Sequence, residues 1–318
     1  MRRMVVFNVG GALCSYLEIG GKRIVVDLGK SESFNPITDF LVPLFKKSGI
    51  VKNKKGKYEI DQLIVSHPHA DHISAIRDFD DLFDPKWLTC PNDKDENGED
   101  EKLDLNKFDI NSPDVECFKS MYSKRGLPLR TVIDNNGVDR QYLLYLKPGE
   151  VERDNDLTSG EECYQNNISL AVLFSINGHR VLFPGDIMKN GMKKMISESS
   201  ILKDELGKHH LSILVAPHHG LRSSFSVDLF NIIKDNKTRC LNIVSEKENN
   251  PNENRNVDSR YSDREYCMGD NDLVSDNGDS KCYQRKTSQG HICVDFDDDS
   301  RPDIKIIQNT EELINWFL

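Results

Sequence analysis

Three histidines and an aspartate stand within six positions of the stretch LIVSHPHADHIS: His67, His69, Asp71 and His72. Imidazole and carboxylate groups are ligands for zinc-like and manganese-like ions, and His-x-His on an irregular turn can aim both rings at one centre. Asp71 and His72 face a different direction and can serve a second ion. The cluster follows directly on an apolar run, which sets it apart from the incidental histidines of a polar turn. Two further stretches end in the same way. VLFPGDI delivers Asp186 after an apolar run and a Pro-Gly bend, and LVAPHHGL delivers His218 and His219. Alone, an aspartate after Pro-Gly is more often a turn residue or a helix cap, and a single histidine pair says little. Together the three share one grammar of buried strand, sharp turn and ligand. Ligands at the same end of several strands converge in space, which is how a two-metal cleft is built.

The elements that must position these groups can be read from periodicity. RMVVFNVG and CSYLEIGGKRIVVDLG read as strands, with a Gly-Gly hairpin inside the second. FNPITDFLVPLFKKSGI reads as a helix ended by Gly49, and IDQLIVSH as a short buried strand. The pattern returns in SLAVLFSINGHRVLFPGD, two strands around an Asn177-Gly178 turn. A polar helix follows, then strands in LSILVAPHHG, RCLNIVSE, GHICVDF and DIKIIQ, and an amphipathic C-terminal helix with Leu313, Ile314 and Phe317 on one side. One hairpin in each half hints at a duplicated layout of two sheets packed face to face. Residues 91–112 and 246–286 break the pattern with acidic and other polar residues, and read as surface insertions on one domain spanning residues 1–318. A loop over an active site is the functional reading of the second.

Composition narrows the function. A net charge of -10 and a pI near 5.4 argue against a broad electrostatic footprint for nucleic acid. Bound cations weaken that argument, because they supply the local positive charge a phosphate needs. No run approaches the roughly 20 apolar residues of a membrane span, and the start MRRMVVFNVGG lacks the apolar stretch of a signal peptide. A soluble cytoplasmic protein with no membrane partner is expected. The eight cysteines form no CxxC pair and read as free thiols.

In their order and spacing, SHPHADHI, FPGDI and APHHG resemble the metallo-β-lactamase superfamily of metal-dependent hydrolases. More narrowly, FNVGGALCSYLEIGGKRIVVDLG, NNISLAVLF, VAPHHGLRSS and TSQGHICVDF are similar to the hydrolase domain attached to the competence protein ComEC and to its stand-alone relatives. The resemblance runs from about Val5 to Phe296 and implies an α/β fold, the αββα sandwich, with two divalent metal ions, zinc or manganese, at one edge of its sheets. By position it gives His67 and His69 to the first ion and Asp71 and His72 to the second. Asp186 would bridge both, His218 would complete the second site, and Asp27 would steady the ligand turn from behind. The superfamily's third histidine on the first ion has no counterpart. Asn166 sits at about that place, with Asn167 as its neighbour, and an amide oxygen is a weaker, harder ligand than imidazole. The full His67–His69 pair is retained, where the competence branch often carries aspartate at the second position.

Two divalent ions lower the pKa of a shared water and polarise the bond under attack. Asp71 and Asp186 would then act in catalysis, with His219 as proton donor to the leaving group. Arg222, Ser223 and Ser224 could bind phosphate oxygens. The branch resemblance favours a phosphodiesterase or nuclease acting on nucleic acid or a nucleotide. Stand-alone relatives often sit beside NTPase or protease partners in bacterial defence cassettes, which suggests an antiviral effector under partner control. The competing readings are an ester, thioester or amide hydrolase on the same centre, and a non-catalytic regulatory subunit. The near-complete ligand set speaks against the last.

Overall fold

Alternating apolar residues fold the start of the chain into three antiparallel strands, β1 (Arg2–Val6), β2 (Cys14–Ile19) and β3 (Lys22–Leu28). The computed structural model describes residues 1–94, 100–101, 103–109, 111–125, 129–135, 137–209, 211–235, 240–246, 256–263 and 284–318. Gly20 and Gly21 turn the β2–β3 hairpin with φ of 58° and 77°, the left-handed pair that a two-residue hairpin requires. β4 (Tyr58–Ile64) and β5 (Phe83–Thr89) then add parallel to β3. A two-stranded ribbon, β6 (Asp93–Lys94) and β7 (Asp100–Glu101), follows.

The second sheet begins with β8 (Asp134–Asn135) and β9 (Asp139–Leu144). β10 (Ala171–Ile176) and β11 (His179–Phe183) form its hairpin, turned by Asn177 and Gly178 at φ of 46° and 88°. β12 (Ile213–Val215), β13 (Leu241–Val244) and β14 (Gln284–Lys286) continue parallel to β11. The chain returns to the first sheet as β15 (His291–Asp295) and β16 (Asp303–Ile307). The two seven-stranded orders are β16-β15-β1-β2-β3-β4-β5 and β14-β13-β12-β11-β10-β9-β8.

Met4, Val6, Leu17 and Val26 of the first sheet meet Val172, Phe174, Val181, Ile213 and Ile243 of the second in a dry layer between them. Helices cover the outer faces. A π-helical turn at Pro36–Leu41 runs into α1 (Val42–Lys47), and Gly49 ends it at φ 69°. α2 (Ala70–Ile73), α3 (Ile76–Leu82), α4 (Pro113–Arg125), α5 (Pro148–Arg153) and α6 (Tyr164–Asn167) follow in the first half. The polar helix expected after Asp186 is two helices, α7 (Lys189–Glu198) and α8 (Ser200–Lys208), because Ser199 caps the second through Leu202 N. α9 (Val227–Asp235) and α10 (Thr310–Phe317) complete the set. Asn309 caps α10 by accepting from Glu311 N and Glu312 N, which directs Leu313, Ile314 and Phe317 inward. Phe317 packs against Tyr16 and Phe40 at 5.3 and 5.4 Å between ring centroids. Burying such a side chain stabilises by about 1.5–3 kcal/mol.

This mixed arrangement of helices on two packed sheets is the expected αββα sandwich. The expected insertions need revising in three places. Leu103, Leu105 and Phe108 of the first are buried in the core. β14 lies inside the second, and Tyr261 within it is fully buried. Much of the remainder of 246–286 lies outside the described residues. The described cysteines, Cys14, Cys90, Cys117, Cys163, Cys240 and Cys293, are free thiols.

Candidate metal centre

The ligand turn after β4 is held from behind before any ligand faces forward. Asp27, the penultimate residue of β3, is buried at φ 57° and points its carboxylate into that turn. Its Oδ1 accepts from Ser66 N at 2.7 Å, and its Oδ2 accepts from Ser66 Oγ and His72 Nδ1, both at 2.9 Å. The β1–β2 loop is stitched to the same turn, with Leu13 N donating to Asp71 O at 3.0 Å and Gly29 N donating to Leu13 O at 2.8 Å. A Cβ on Gly29 would fall 2.4 Å from Asp71 O, so only glycine allows the three segments to cross here. Gly185 does the same for the Pro-Gly bend, where a Cβ would meet Ser169 Cβ at 2.8 Å and Ser66 Cβ at 2.9 Å.

Asp186 stands between two groups of ligand atoms. Its Oδ1 is 3.1 Å from His72 Nε2, too poorly aligned for a hydrogen bond. Its Oδ2 is 3.8 Å from His67 Nε2 and 3.8 Å from His218 Nε2. His67 Nε2 and His69 Nδ1 face each other at 2.9 Å, and His219 Nε2 lies 3.1 Å from Asp71 Oδ2. Within each of two groups, His67–His69–Asp186 and Asp71–His72–Asp186–His219, one potential ligand atom per residue lies within 4.8 Å of the others.

The HHG turn brings both of its rings to the centre. His218, expected as a ligand, has Nε2 3.8 Å from Asp186 Oδ2, and His219, expected as a proton donor, has Nε2 grouped with Asp71, His72 and Asp186, a second ligand-like position. Backbone conformation brings the second ring in. Both residues lie in the left-handed region, at φ 49° and 57°, which turns the second ring back toward α2. Such conformations cost about 1–3 kcal/mol each for non-glycine residues and persist only where their surroundings hold them. Ser224 is corrected. It is fully buried with Oγ 3.4 Å from His218 Nδ1, so it supports that ring and cannot touch a substrate. Arg222 is exposed and Ser223 half-buried on the same loop.

The choice between the two asparagines is decided by their partners. Asn167 is fully committed: Oδ1 accepts from Met188 N at 3.0 Å, while Nδ2 donates to Leu157 O at 3.0 Å and Glu162 Oε2 at 2.7 Å. Asn166 is buried, and its Oδ1 has no hydrogen-bond partner. An orphaned buried carbonyl costs about 1–3 kcal/mol unless something outside the chain meets it. With His219 Nδ1 also unpartnered, and only nitrogen and oxygen donors present, the residues fit divalent cations of the zinc or manganese type.

Burial lowers the proton affinity of His67, His69 and His218, His67 most strongly, which leaves their ring nitrogens free to bind a cation near neutral pH. His72 behaves oppositely. Burial works against its charge, but the carboxylates of Asp186 and Asp27 overcome that and raise its pKa. Asp186 and Asp71 are held well below the usual carboxylate range: burial opposes this, and the neighbouring His72 and His219 outweigh it.

Three contributors escape sequence reasoning. Ser66 orders both Asp27 and the histidine turn. Ser169 Oγ accepts from Asp186 N at 3.1 Å and lies 3.4 Å from His67 Nδ1. Phe108, from the first insertion, packs its ring against His69 at 5.5 Å. Ser66 adjoins the HxHxDH motif and Ser169 opens a strand, positions that could have flagged them; Phe108 carries no such signal.

Two sheets between helices, with paired histidine and aspartate groups at one edge, define a metallohydrolase-type sandwich. The model of the metallo-β-lactamase superfamily matches residues 7–236, and the chain belongs to that superfamily, whose members are generally metal-dependent hydrolases. No curated protein sequence matches it. Similar solved structures include the metallo-β-lactamase fold protein YhfI from Bacillus subtilis, 13% identical over 80% of this chain and 90% of that one, with a TM-score of 0.39. The metallo hydrolase Igni18 from Ignicoccus hospitalis is 9% identical over 82% and 88%, with a TM-score of 0.38. A diphosphatase of the PhnP family is 13% identical over 80% and 89%, with a TM-score of 0.34. Among the described residues no helix is long and apolar enough to cross a membrane.

Proposed function

We propose that this chain is a dinuclear metal-dependent phosphodiesterase or nuclease of the ComEC-like branch, acting as one hydrolase domain. The observation that carries the reading is the shared carboxylate of Asp186, whose two oxygens face the two ligand groups separately. His67, His69 and Asp186, with Asn166 Oδ1, would hold one cation; Asp71, His72, Asp186 and His219 would hold the other. Such a pair, when bound, polarises the bond under attack and lowers the pKa of water.

The chain's own groups do the rest. Asp27 accepts from His72 Nδ1 and so would leave Nε2 as the ring's ligand atom toward a bound cation. Asp186 fixes the spacing of the two ligand groups. His218, whose side chain is 24% exposed, presents Nε2 beside Asp186 Oδ2, where it would serve as a further ligand. Arg222 remains a contact for phosphate oxygens from the rim. The stretches NNISLAVLF, VAPHHGLRSS and TSQGHICVDF, which carry the resemblance to the competence-protein branch, support phosphorus over carbon as the electrophile.

The test combines metal analysis of protein prepared without chelator with a panel of substrates. Bis-nitrophenyl phosphate, plasmid, single-stranded DNA and RNA are compared with nitrophenyl acetate and a chromogenic lactam, each with manganese and with zinc. Cleavage of a phosphodiester, abolished in Asp186→Ala, is expected. Cleavage of the ester or lactam alone overturns the reading. Activity that appears only with an added NTPase or protease partner preserves the chemistry and makes the chain a controlled effector.

A further inference from the structure

The turn carrying His218 and His219 is not self-supporting. Within the turn the main chain is secured by His218 N to Gly185 O at 3.2 Å and Leu221 N to His218 O at 3.1 Å. Further support comes from residues 256–263, inside the stretch whose composition reads as a polar surface insertion. Asp258 N donates to Gly220 O at 2.9 Å. Val257 Cγ1 lies 3.1 Å from where a Cβ on Gly220 would stand. Three residues beyond Asp258, Tyr261 is fully buried, and its carbonyl accepts from Asn242 Nδ2 at 2.8 Å. Its ring meets Phe225 edge-on at 4.9 Å, and its hydroxyl lies 3.5 Å from Ser224 O. Arg260 closes the other face of Phe225 at 4.1 Å and is itself held by the Asp258 carboxylate at 2.7 Å.

These contacts reach the histidines in two steps. Gly220 follows His219 directly and is itself left-handed at φ 77°, so the Asp258 bond fixes the exit of the strained turn. Ser224, pinned under Tyr261, carries the hydroxyl that faces His218 Nδ1. A chain with two non-glycine residues in the left-handed region relaxes to ordinary φ unless its ends are clamped. Residues 256–263 clamp the C-terminal end.

We propose that residues 256–263 form a brace that positions the two-histidine turn, with Asp258 and Tyr261 as positioning residues. The brace rests on the metal-centre reading only where metal is the readout, so two readouts are used. One is the ring signals of His218 and His219 in a nitrogen-15 NMR spectrum of the full chain without metal, assigned by His218→Gln and His219→Gln. The other is titration with manganese followed by electron paramagnetic resonance.

Asp258→Pro removes the donor to Gly220 while suiting the φ of -63° already present, and Asp258→Ala keeps that donor while losing the carboxylate. Tyr261→Ala removes the ring and Tyr261→Phe keeps it. Asp258→Pro and Tyr261→Ala are expected to broaden or shift both ring signals and weaken manganese binding by about tenfold or more. The His291 signal should not move. Tyr261→Phe and Asp258→Ala should stay near wild type. Should Tyr261→Ala fail to fold, Asp258→Pro decides alone, since its site is half-buried and outside the core. Unchanged ring signals in Asp258→Pro overturn the brace. If the wild-type chain binds no manganese, the metal reading fails instead, and the ring signals still decide the brace.

Discussion

Replacing Asp27 by Asn changes one atom and should disable a ligand it never touches through metal. The carboxylate receives three donors on two oxygens: Ser66 N on Oδ1, and Ser66 Oγ with His72 Nδ1 on Oδ2. A main-chain N–H cannot rotate away, so the amide oxygen must stay toward Ser66 N and the new NH₂ takes the other place. Ser66 Oγ can turn and accept. His72 Nδ1–H cannot, because two donors would face each other. The ring escapes by carrying its proton on Nε2, the atom 3.1 Å from Asp186 Oδ1, where the carboxylate's negative charge favours it even without hydrogen-bond alignment. A protonated Nε2 is no ligand.

The structure without metal should therefore survive, since asparagine tolerates the left-handed φ of 57° at this position and the new proton faces the Asp186 carboxylate. Metal affinity should not survive. Loss of such a supporting group lowers affinity by about 10–100-fold, which is about 1.4–2.7 kcal/mol. Cobalt titration followed by absorbance, beside far-ultraviolet circular dichroism and thermal melting, separates the two effects. A folded Asp27→Asn protein that binds cobalt as tightly as wild type refutes the tautomer argument.

Two other outcomes follow from single buried groups. On the proposed reading Asn166 would give the first site an amide where imidazole would bind more firmly, so that site should empty first under mild chelation, and Asn166→His should reverse the order in a two-step metal titration; two equally tight sites would count against it. His291, away from the centre, accepts from Asn8 N at 3.1 Å and has its pKa pushed down by burial to about 4. The unfolded chain takes up this proton first, at about pH 6.5, so stability is lost as pH falls from there to about 4, in total about 3 kcal/mol. Urea unfolding at pH 7 and pH 4.5 should show a smaller acid loss in His291→Gln, and an equal loss would remove His291 as the cause.

Much of this was legible because strands advertise themselves and their ends carry the chemistry. IDQLIVSH, VLFPGD and LSILVAPHH each pair a short apolar run with a polar stop, and the three stops do meet at Asp186. The conformation of a turn is not legible in that way. Nothing in PHHG says that both histidines adopt positive φ, or that the second ring faces Asp71. Asn166 and Asn167 are chemically identical in the sequence, and only the neighbours of Asn167 settle which one is free. Tyr261, Phe108 and β14 were hidden for a third reason. Composition averages over a segment, whereas a single aromatic ring or three strand residues inside a polar run can still be buried by the rest of the fold. α4 was hidden in a similar way: Val115, Phe118, Met121 and Tyr122 form its buried face inside an otherwise polar and charged segment.

The charge of the chain and the charge of its centre pull in opposite directions, and that opposition bears on what can bind. A net charge of -10 repels a polyanion at long range. At short range Asp27, Asp71 and Asp186 converge within the centre while burial lowers the proton affinity of His67, His69 and His218, so even with His72 charged the carboxylates outweigh it and the bare cluster is negative. An anionic phosphodiester thus has no electrostatic reason to approach the chain alone. Two divalent cations reverse the local sign, because their charge exceeds that of the three carboxylates. Cation and anionic substrate are then linked: whatever holds one strengthens the other by the same factor. The long-range repulsion remains, and it weakens with added salt as the Debye length shrinks to about 8 Å near physiological ionic strength. A short nucleotide pays little of it and a long duplex pays along its whole length. On the proposed phosphodiesterase reading, the same centre would favour small or single-stranded phosphodiesters over long duplex DNA, unless a basic partner surface supplied the missing positive charge.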